Sequence, residues 1–222
     1  MKVADAILSR KSVRAFTDEP VSNETIRKIL DIARRAPSGG NLQPWLVYVL
    51  NGAVRDRFVQ YIDERVVEHP MGETPDYNVY PPGLKQPYRS RRSRIGRMLY
   101  ELIGVPRDDR AGKMAHFARN YRFFDAPAAM LFTIDRDMEP GQWVDLGLFM
   151  QNVMLLAREN GLDTCPQESW AVWSPAIREF CGVPDNEIVF CGLAIGHADQ
   201  DATVNQLVSE REEIDSFTRF VQ

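Results

Sequence analysis

Ala36-Pro37-Ser38-Gly39-Gly40-Asn41-Leu42-Gln43-Pro44-Trp45 separates a strongly periodic segment from an apolar run of strand length. Upstream, Ile26, Ile29, Leu30 and Ala33 recur at helical spacing, with Ser22 at the N-cap place and Pro37 as the stop. Downstream, Trp45–Leu50 reads as a buried strand. The connection holds two prolines and two glycines beside Ser38, Asn41 and Gln43. Such a mix bends the backbone sharply and exposes N–H groups. Each carboxamide can donate to a carbonyl and accept from an N–H at once, which suits the polar edge of a heterocycle. On these residues alone a turn-rich connection is an equal reading.

Nearer the N-terminus, Arg10-Lys11-Ser12-Val13-Arg14 places three cations and a hydroxyl close together. Guanidinium forks and a hydroxyl donor are phosphate-binding chemistry. A solvated charge cluster is the commoner source of such composition. Val13 and Phe16, spaced among the polar residues, mark the segment as partly buried chain.

Working outward, Val3–Ser9 reads as a short helix. Val54, Phe58, Ile62 and Val66 recur at helical spacing within Val54–Val67. From His69 to Arg89 five prolines and three tyrosines break the pattern, so an ordered irregular loop is expected. Helices follow over Ser90–Gly104 and Arg107–Asn120, then a strand over Pro127–Ile134. Gln142–Asn160 is the longest and most apolar helix, expected at the centre and able to pack on a partner chain. Ser174-Pro175 should cap a short helix ended by Gly182. Glu187–Ile195 is nearly all apolar, a strand buried on both faces.

The 222 residues are 44% hydrophobic and 26% charged, the balance of a soluble globular chain. A net charge of −4 gives no footing for nucleic acid. No stretch has the apolar length of a membrane span, and the N-terminus has no signal-peptide pattern. Three cysteines and three histidines show no metal-ligand spacing. No metal is expected, and a reducing cytoplasm is the expected location. With neither repeat nor linker, one α+β domain over 1–222 is the economical organisation. It carries an irregular lid or insert at about 69–124 and a C-terminal arm at about 200–222.

Taken together, the Arg10–Arg14 element and the Pro37–Trp45 element resemble the start of the FMN-dependent nitroreductase family. Gly161-Leu162-Asp163-Thr164-Cys165-Pro166-Gln167 resembles its central flavin loop, and Arg211 its late phosphate-binding arginine. The order and spacing agree over nearly the whole chain. The Thr164–Glu168 stretch and the proline-rich insert look most like the nitrobenzoate-reductase branch.

The resemblance implies a nitroreductase-like fold, a small and mainly antiparallel sheet surrounded by helices in an intertwined homodimer. It also implies noncovalent FMN at the subunit interface. Arg10, Lys11, Ser12 and Arg211 would serve the phosphate side, and Arg14 the N1 and O2 edge of the ring. Pro37, Ser38, Gly39, Asn41 and Gln43 would approach the flavin held mainly by the other subunit. Cys165, Pro166, Gln167 and Glu168 would form a loop along the ring, with a backbone N–H near Gln167 or Glu168 donating to N5. Without a nearby histidine, Cys165 reads as a packed thiol, and Glu168 as a backbone-fixing residue.

No side chain is then required as a nucleophile, because the flavin carries the hydride chemistry. NADH or NADPH would reduce it, and an electron-poor nitroaromatic would reoxidise it in a ping-pong cycle. The absence of Gly-x-Gly-x-x-Gly argues for one shared pocket. Phe123, Phe124, Tyr88 and Arg89 are the expected substrate contacts, drawn from an aromatic and arginine-rich insert. Reductive dehalogenation of a halogenated phenol, destruction of reduced FMN for a cobalamin base, and flavin binding without efficient turnover are the competing readings.

Overall fold

The structure is a computed structural model that describes residues 1–221; Gln222, the end of the expected arm, lies outside the described residues. Four strands form one antiparallel sheet: β1 Leu46–Asn51, β2 Ala128–Asp135, β3 Asp163–Gln167 and β4 Glu187–Gly196, in the order β1-β2-β4-β3. Around it lie α1 Val3–Ser9, α2 Asn23–Ala33, α3 Ala53–Val66, α4 Tyr88–Leu102 and α5 Arg110–Ala118. The chain continues through α6 Pro140–Glu159, α7 Ser174–Cys181 and the short α8 Ile214–Phe217. The expected α+β architecture, a small antiparallel sheet wrapped by helices, is the one observed. Among the described residues no helix is long and apolar enough to cross a membrane.

The two central strands are buried on both faces, which is why they read as unbroken apolar runs. Ala129 and Leu131 of β2 pack with Phe58 and Ile62 of α3. Met130, Phe132 and Ile134 pack the other way, with Ile26 and Ile29 of α2 and Phe149 and Val153 of α6. Phe58 and Ile62 are fully buried, each stabilising the fold by roughly 1.5–3 kcal/mol. In β4 the alternation changes parity. Ile188 faces the α6 side and Val189 the α3 side, yet Cys191, Leu193 and Ile195 return to the α6 side. The cause is a bulge: Thr133 pairs with Val189 and Phe132 with Cys191, which leaves Phe190 as the extra residue.

Local signals place the helix ends. Ser22 accepts from the Thr25 N–H at 3.0 Å, the expected cap of α2. Gly104 and Gly182 sit at positive φ just beyond α4 and α7. Ser174 differs from expectation, lying inside α7 with its hydroxyl donating to the Ala171 carbonyl. The N-terminus of α7 is capped from afar, because the Ala176 N–H donates to the Glu73 carboxylate at 2.8 Å.

Two strand expectations also change. The run expected as a buried strand, Trp45–Leu50, is the sheet edge, with Leu46 and Val49 more than a third exposed. The stretch Thr164–Glu168, expected as a loop, is largely the opposite edge strand β3. Its proline is tolerated because an edge strand can spare an N–H.

The insert expected at about 69–124 is tied to the body at both of its ends. Glu73 pairs with Arg65 at 3.1 Å as well as capping α7. Asp76 bridges Arg136 at 2.8 Å and Arg178 at 2.9 Å, and the Tyr77 hydroxyl donates to the Phe190 carbonyl at 2.6 Å. Residues 72–77 therefore stitch the insert to the body, and at its other end Tyr121, Phe123 and Phe124 are core.

Burial raises the Asp76 carboxyl, but hydrogen bonds from Arg136, Arg178 and Ser174 outweigh it and hold the group below 3.8. A depressed folded value stabilises above the unfolded value, and that contribution is lost as pH falls through the folded one. Asp76→Asn is thus expected to cost roughly 1.5–3 kcal/mol near neutrality. Urea denaturation should show the gap from wild type narrowing below about pH 4. A gap independent of pH would contradict the charge-based account.

Candidate functional site

The segment following α1 runs as a strap beside β3. Ser12 bridges Thr164 in parallel, and the fully buried Val13 donates its N–H to the Thr164 carbonyl at 3.0 Å. This docking brings Ser12 and Arg14 beside Cys165, as their influence on its thiol records. From the far end of the chain the charge of Arg211 acts on Arg10. Burial and then the Arg211 charge hold the Arg10 guanidinium below its ordinary value. Among the described residues neither arginine is ion-paired to a carboxylate; Arg211 is hydrogen-bonded to oxygens of Ser209 and Glu210. Cations left without a counter-charge are free to pair with an anionic group.

Lys11, expected alongside them, is tied elsewhere: its Nζ donates to the Asn205 carbonyl. The buried Asn205 side chain accepts from the Arg14 N–H at 2.7 Å and donates to the carbonyls of Ala15 and Asp199. One asparagine thereby locks the strap to the chain that leads into the arm.

Arg14, Pro166, Gln167 and Glu168 share the wall of a cleft of about 710 Å³. Gln167 is almost fully buried, with its Nε2 donating to the Asn120 carbonyl at 2.9 Å. Its Oε1 has no partner, and neither does the hydroxyl of Thr164 or of Ser169. All three atoms are shut off from the open cleft, as are the unpartnered indole N–H groups of Trp170 and Trp173, so they stand behind its wall rather than on it. Cys165 is not a nucleophile, since burial pushes its thiol up to about 11.

Pro37, Asn41 and Gln43 line a different depression, with Arg34, Arg35 and Ala36. The loop is pinned by Asp145 of α6, a buried carboxylate that accepts the Gly39 N–H at 3.0 Å. Ser38 accepts from the Gln43 N–H at 3.0 Å. Gly40, Asn41 and Gln43 all have positive φ, a strained run that presents its polar edge outward.

The expected substrate contacts divide. Phe124 lines the cleft. Phe123 is instead a core residue, fully buried and stacked on Trp170 with ring centroids 4.4 Å apart. Tyr88 is exposed, with the Arg91 guanidinium over its ring, and Arg89 lines a neighbouring depression beside Pro81 and Leu84. Phe123, Phe124 and Asp125 form three successive left-handed residues, a strained turn that faces one ring inward and the next toward the cleft.

Tyr80 and Arg92 of the aromatic and arginine-rich insert line the cleft as well, and four cleft residues escaped the sequence reading: His116, Tyr100, Met150 and the bulged Phe190. His116 is held below its ordinary value by burial and then by Arg119 and Arg14, and its Nε2 has no partner. A histidine on the helix expected over Arg107–Asn120 was the available signal.

The Nitroreductase family model matches residues 7–197. The chain is 38% identical over 219 residues to a chloronitrobenzene nitroreductase of Comamonas testosteroni, covering 99% of this chain and 96% of that protein. It is equally, at 38% over 218 residues, similar to a 4-nitrobenzoate reductase of Pseudomonas putida, with 98% and 95% covered. The crystal structure of NfnB from Sphigopyxis sp. strain HMH, an FMN- and NADPH-dependent nitroreductase, superposes with a TM-score of 0.96. That chain is 43% identical, with all of both chains covered.

Proposed function

The chain belongs to the nitroreductase family, and from that premise we propose that it is an FMN-dependent NAD(P)H oxidoreductase that reduces nitroaromatic compounds. The observation that carries this reading is the uncompensated Arg10–Arg211 pair beside a strap that leads, through Arg14, into the cleft walled by Pro166, Gln167 and Glu168. The residues fit the cofactor: Arg10 and Arg211 as cations for its phosphate, and Arg14, Pro166, Gln167 and Glu168 on the cleft wall for its ring.

Bound FMN supplies the two-electron chemistry, taking hydride from the nicotinamide and passing it to the oxidant. The protein's own residues bind and orient. Arg10 and Arg211 hold the phosphate, with Ser12 as a hydroxyl donor nearby. Arg14 sets a fixed positive charge in the cleft, where reduction leaves negative charge on the ring. A backbone N–H at Gln167 or Glu168, at the end of β3 and the turn after it, would donate to the ring. One cleft would serve nicotinamide and oxidant in turn, with proximity as the main source of rate. The relatives reported above are named for reducing nitro compounds, and the dehalogenase reading gains nothing from them.

We treat residues 1–222 as one domain, since both apolar clusters pack on the same sheet. The finer reading is a homodimer in the cytoplasm with FMN at the subunit interface. Val3, Ile7 and Leu8 of α1, Val144 and Leu148 of α6, and Phe217 and Phe220 of the arm are all exposed. Large apolar residues grouped on several elements call for a covering surface. The loop Pro37–Gln43, in its separate depression, would then meet the partner's flavin. All three cysteines are free, which suits a reducing compartment.

Purified protein is expected to be yellow, to be bleached anaerobically by NADH or NADPH, and to be reoxidised by a nitroarene. Sedimentation should give about twice the chain mass with one flavin per chain. Colourless protein that FMN cannot reconstitute would sink the assignment. A monomer carrying stoichiometric FMN would sink only the shared site.

A further inference from the structure

The relatives act on both neutral and carboxylated nitroarenes, and identity does not separate them: 38% to a chloronitrobenzene reductase and 38% to a 4-nitrobenzoate reductase. The insert does. Its helix α4 carries Arg89, Arg91, Arg92, Arg94 and Arg97. Arg91 is paired with Glu212 at 2.8 Å and Arg94 with Glu210 at 2.7 Å, so both are committed to the C-terminal arm. Arg92 has no carboxylate partner among the described residues. Its guanidinium lies 4.0 Å from the centroid of the Tyr80 ring, and both residues line the same cleft as Arg14 and Gln167.

Stacking on Tyr80 uses the face of the guanidinium and leaves its N–H edge free, the edge that forks onto a carboxylate. The surrounding wall is aromatic, with Tyr100, Phe117, Tyr121 and Phe124. The charge of the cleft is lopsided. Arg14 and Arg92 are two cations on its wall, and Glu168 is the one carboxylate there. A flat ring bearing one negative substituent satisfies these walls; a neutral nitroarene leaves Arg92 without a partner.

We propose that Arg92, seated on Tyr80, is the specificity-determining residue that pairs with the carboxylate of a nitroaromatic acid. Nitrobenzoate-type oxidants are then the preferred substrate class. This rests on the flavin-dependent reading above.

The test compares 4-nitrobenzoate with 4-nitrobenzamide, its neutral near-isostere, on the oxidised holoenzyme. Isothermal titration gives the affinity ratio, and steady-state turnover gives the kcat/KM ratio. Wild type should favour the carboxylate. Arg92→Gln should lower that preference by roughly 10- to 100-fold, the size of hydrogen bonds to a charged group. Arg92→Lys should restore part of it, by keeping the charge and losing the fork. Tyr80→Phe, which keeps the stacking face, should keep the preference for the carboxylate, and Tyr80→Ala should lose it in the direction of Arg92→Gln.

An unchanged ratio in Arg92→Gln overturns the proposal, as does a wild type without preference. A loss confined to NADPH relative to NADH in flavin reduction also overturns it, by assigning the cation to the 2′-phosphate. Failure of the underlying reading looks different: neither nicotinamide bleaches the flavin, while titration with the two ligands still decides the role of Arg92.

Discussion

Arg10→Ala combined with Arg211→Ala should all but abolish retention of FMN. Each guanidinium contributes roughly 1.5–3 kcal/mol as a charged hydrogen-bond donor, so the pair should raise the dissociation constant by about 10²–10⁴-fold. The two single variants need not add, because each arginine stands in the other's field. That field supplies a second, opposite signature. Without cofactor the two charges repel, so the apoprotein of either single variant should be at least as stable as wild-type apoprotein. The stabilisation gained on adding FMN should shrink at the same time, as linkage between binding and folding requires. Thermal unfolding with and without FMN measures both terms. A variant that loses stability equally in the two conditions would show that the pair is structural. Retention of FMN at wild-type affinity in the double variant would place the phosphate elsewhere.

The largest effect on stability is expected at Trp170. Its indole is fully buried, stacked on Phe123 and tilted against Phe58 at 5.3 Å. The edge of Tyr121 meets it at 5.6 Å. Against β4 it lies so close that a Cβ on Gly192 would fall 2.2 Å from the indole Cδ1. Glycine is required there for the approach, not for its backbone freedom. Trp170→Ala removes a large ring from a packed interior and leaves a cavity, at a cost of roughly 3–5 kcal/mol. For a chain of this length that corresponds to a fall in Tm of about 6–20 °C. Trp170→Phe should cost less, because Nε1 has no hydrogen-bond partner to lose. Gly192→Ala alone should also destabilise, by overpacking, and should be partly rescued by Trp170→Phe. Additive costs in that double variant would mean that the two residues do not oppose one another.

Trp170 also connects stability to the site. It sits in the 3₁₀ turn Glu168–Trp173, immediately after β3, and anchors the end of the strand that presents Pro166 and Gln167 to the cleft. Loss of the indole is expected to loosen those residues before the sheet itself fails.

Local pattern carried much of this molecule. The spacing of Ile26, Ile29 and Ala33 placed α2 and its buried stripe, and Ser22 its cap. The unbroken apolar runs placed β2 and β4, and the Arg10–Arg14 and Pro37–Trp45 elements carried the family. These features are short-range: a helix or strand buries the side that its own periodicity makes apolar, and a turn needs its own glycine or proline.

Docking decided the rest. The strand β3 contains Pro166 and exists only because β4 offers it an edge. The bulge at Phe190 follows from pairing with β2, and no residue of β4 announces it. Glu73, Asp76 and Tyr77 looked like lid residues until the body supplied Arg65, Arg178 and the Phe190 carbonyl as partners. The same holds for charge. Five arginines on one helix are alike in sequence, and only the arm's Glu210 and Glu212 separate the two that are neutralised from Arg92 at the cleft. Periodicity fixes which side of an element is buried, but which distant group meets it is set by packing across the whole chain.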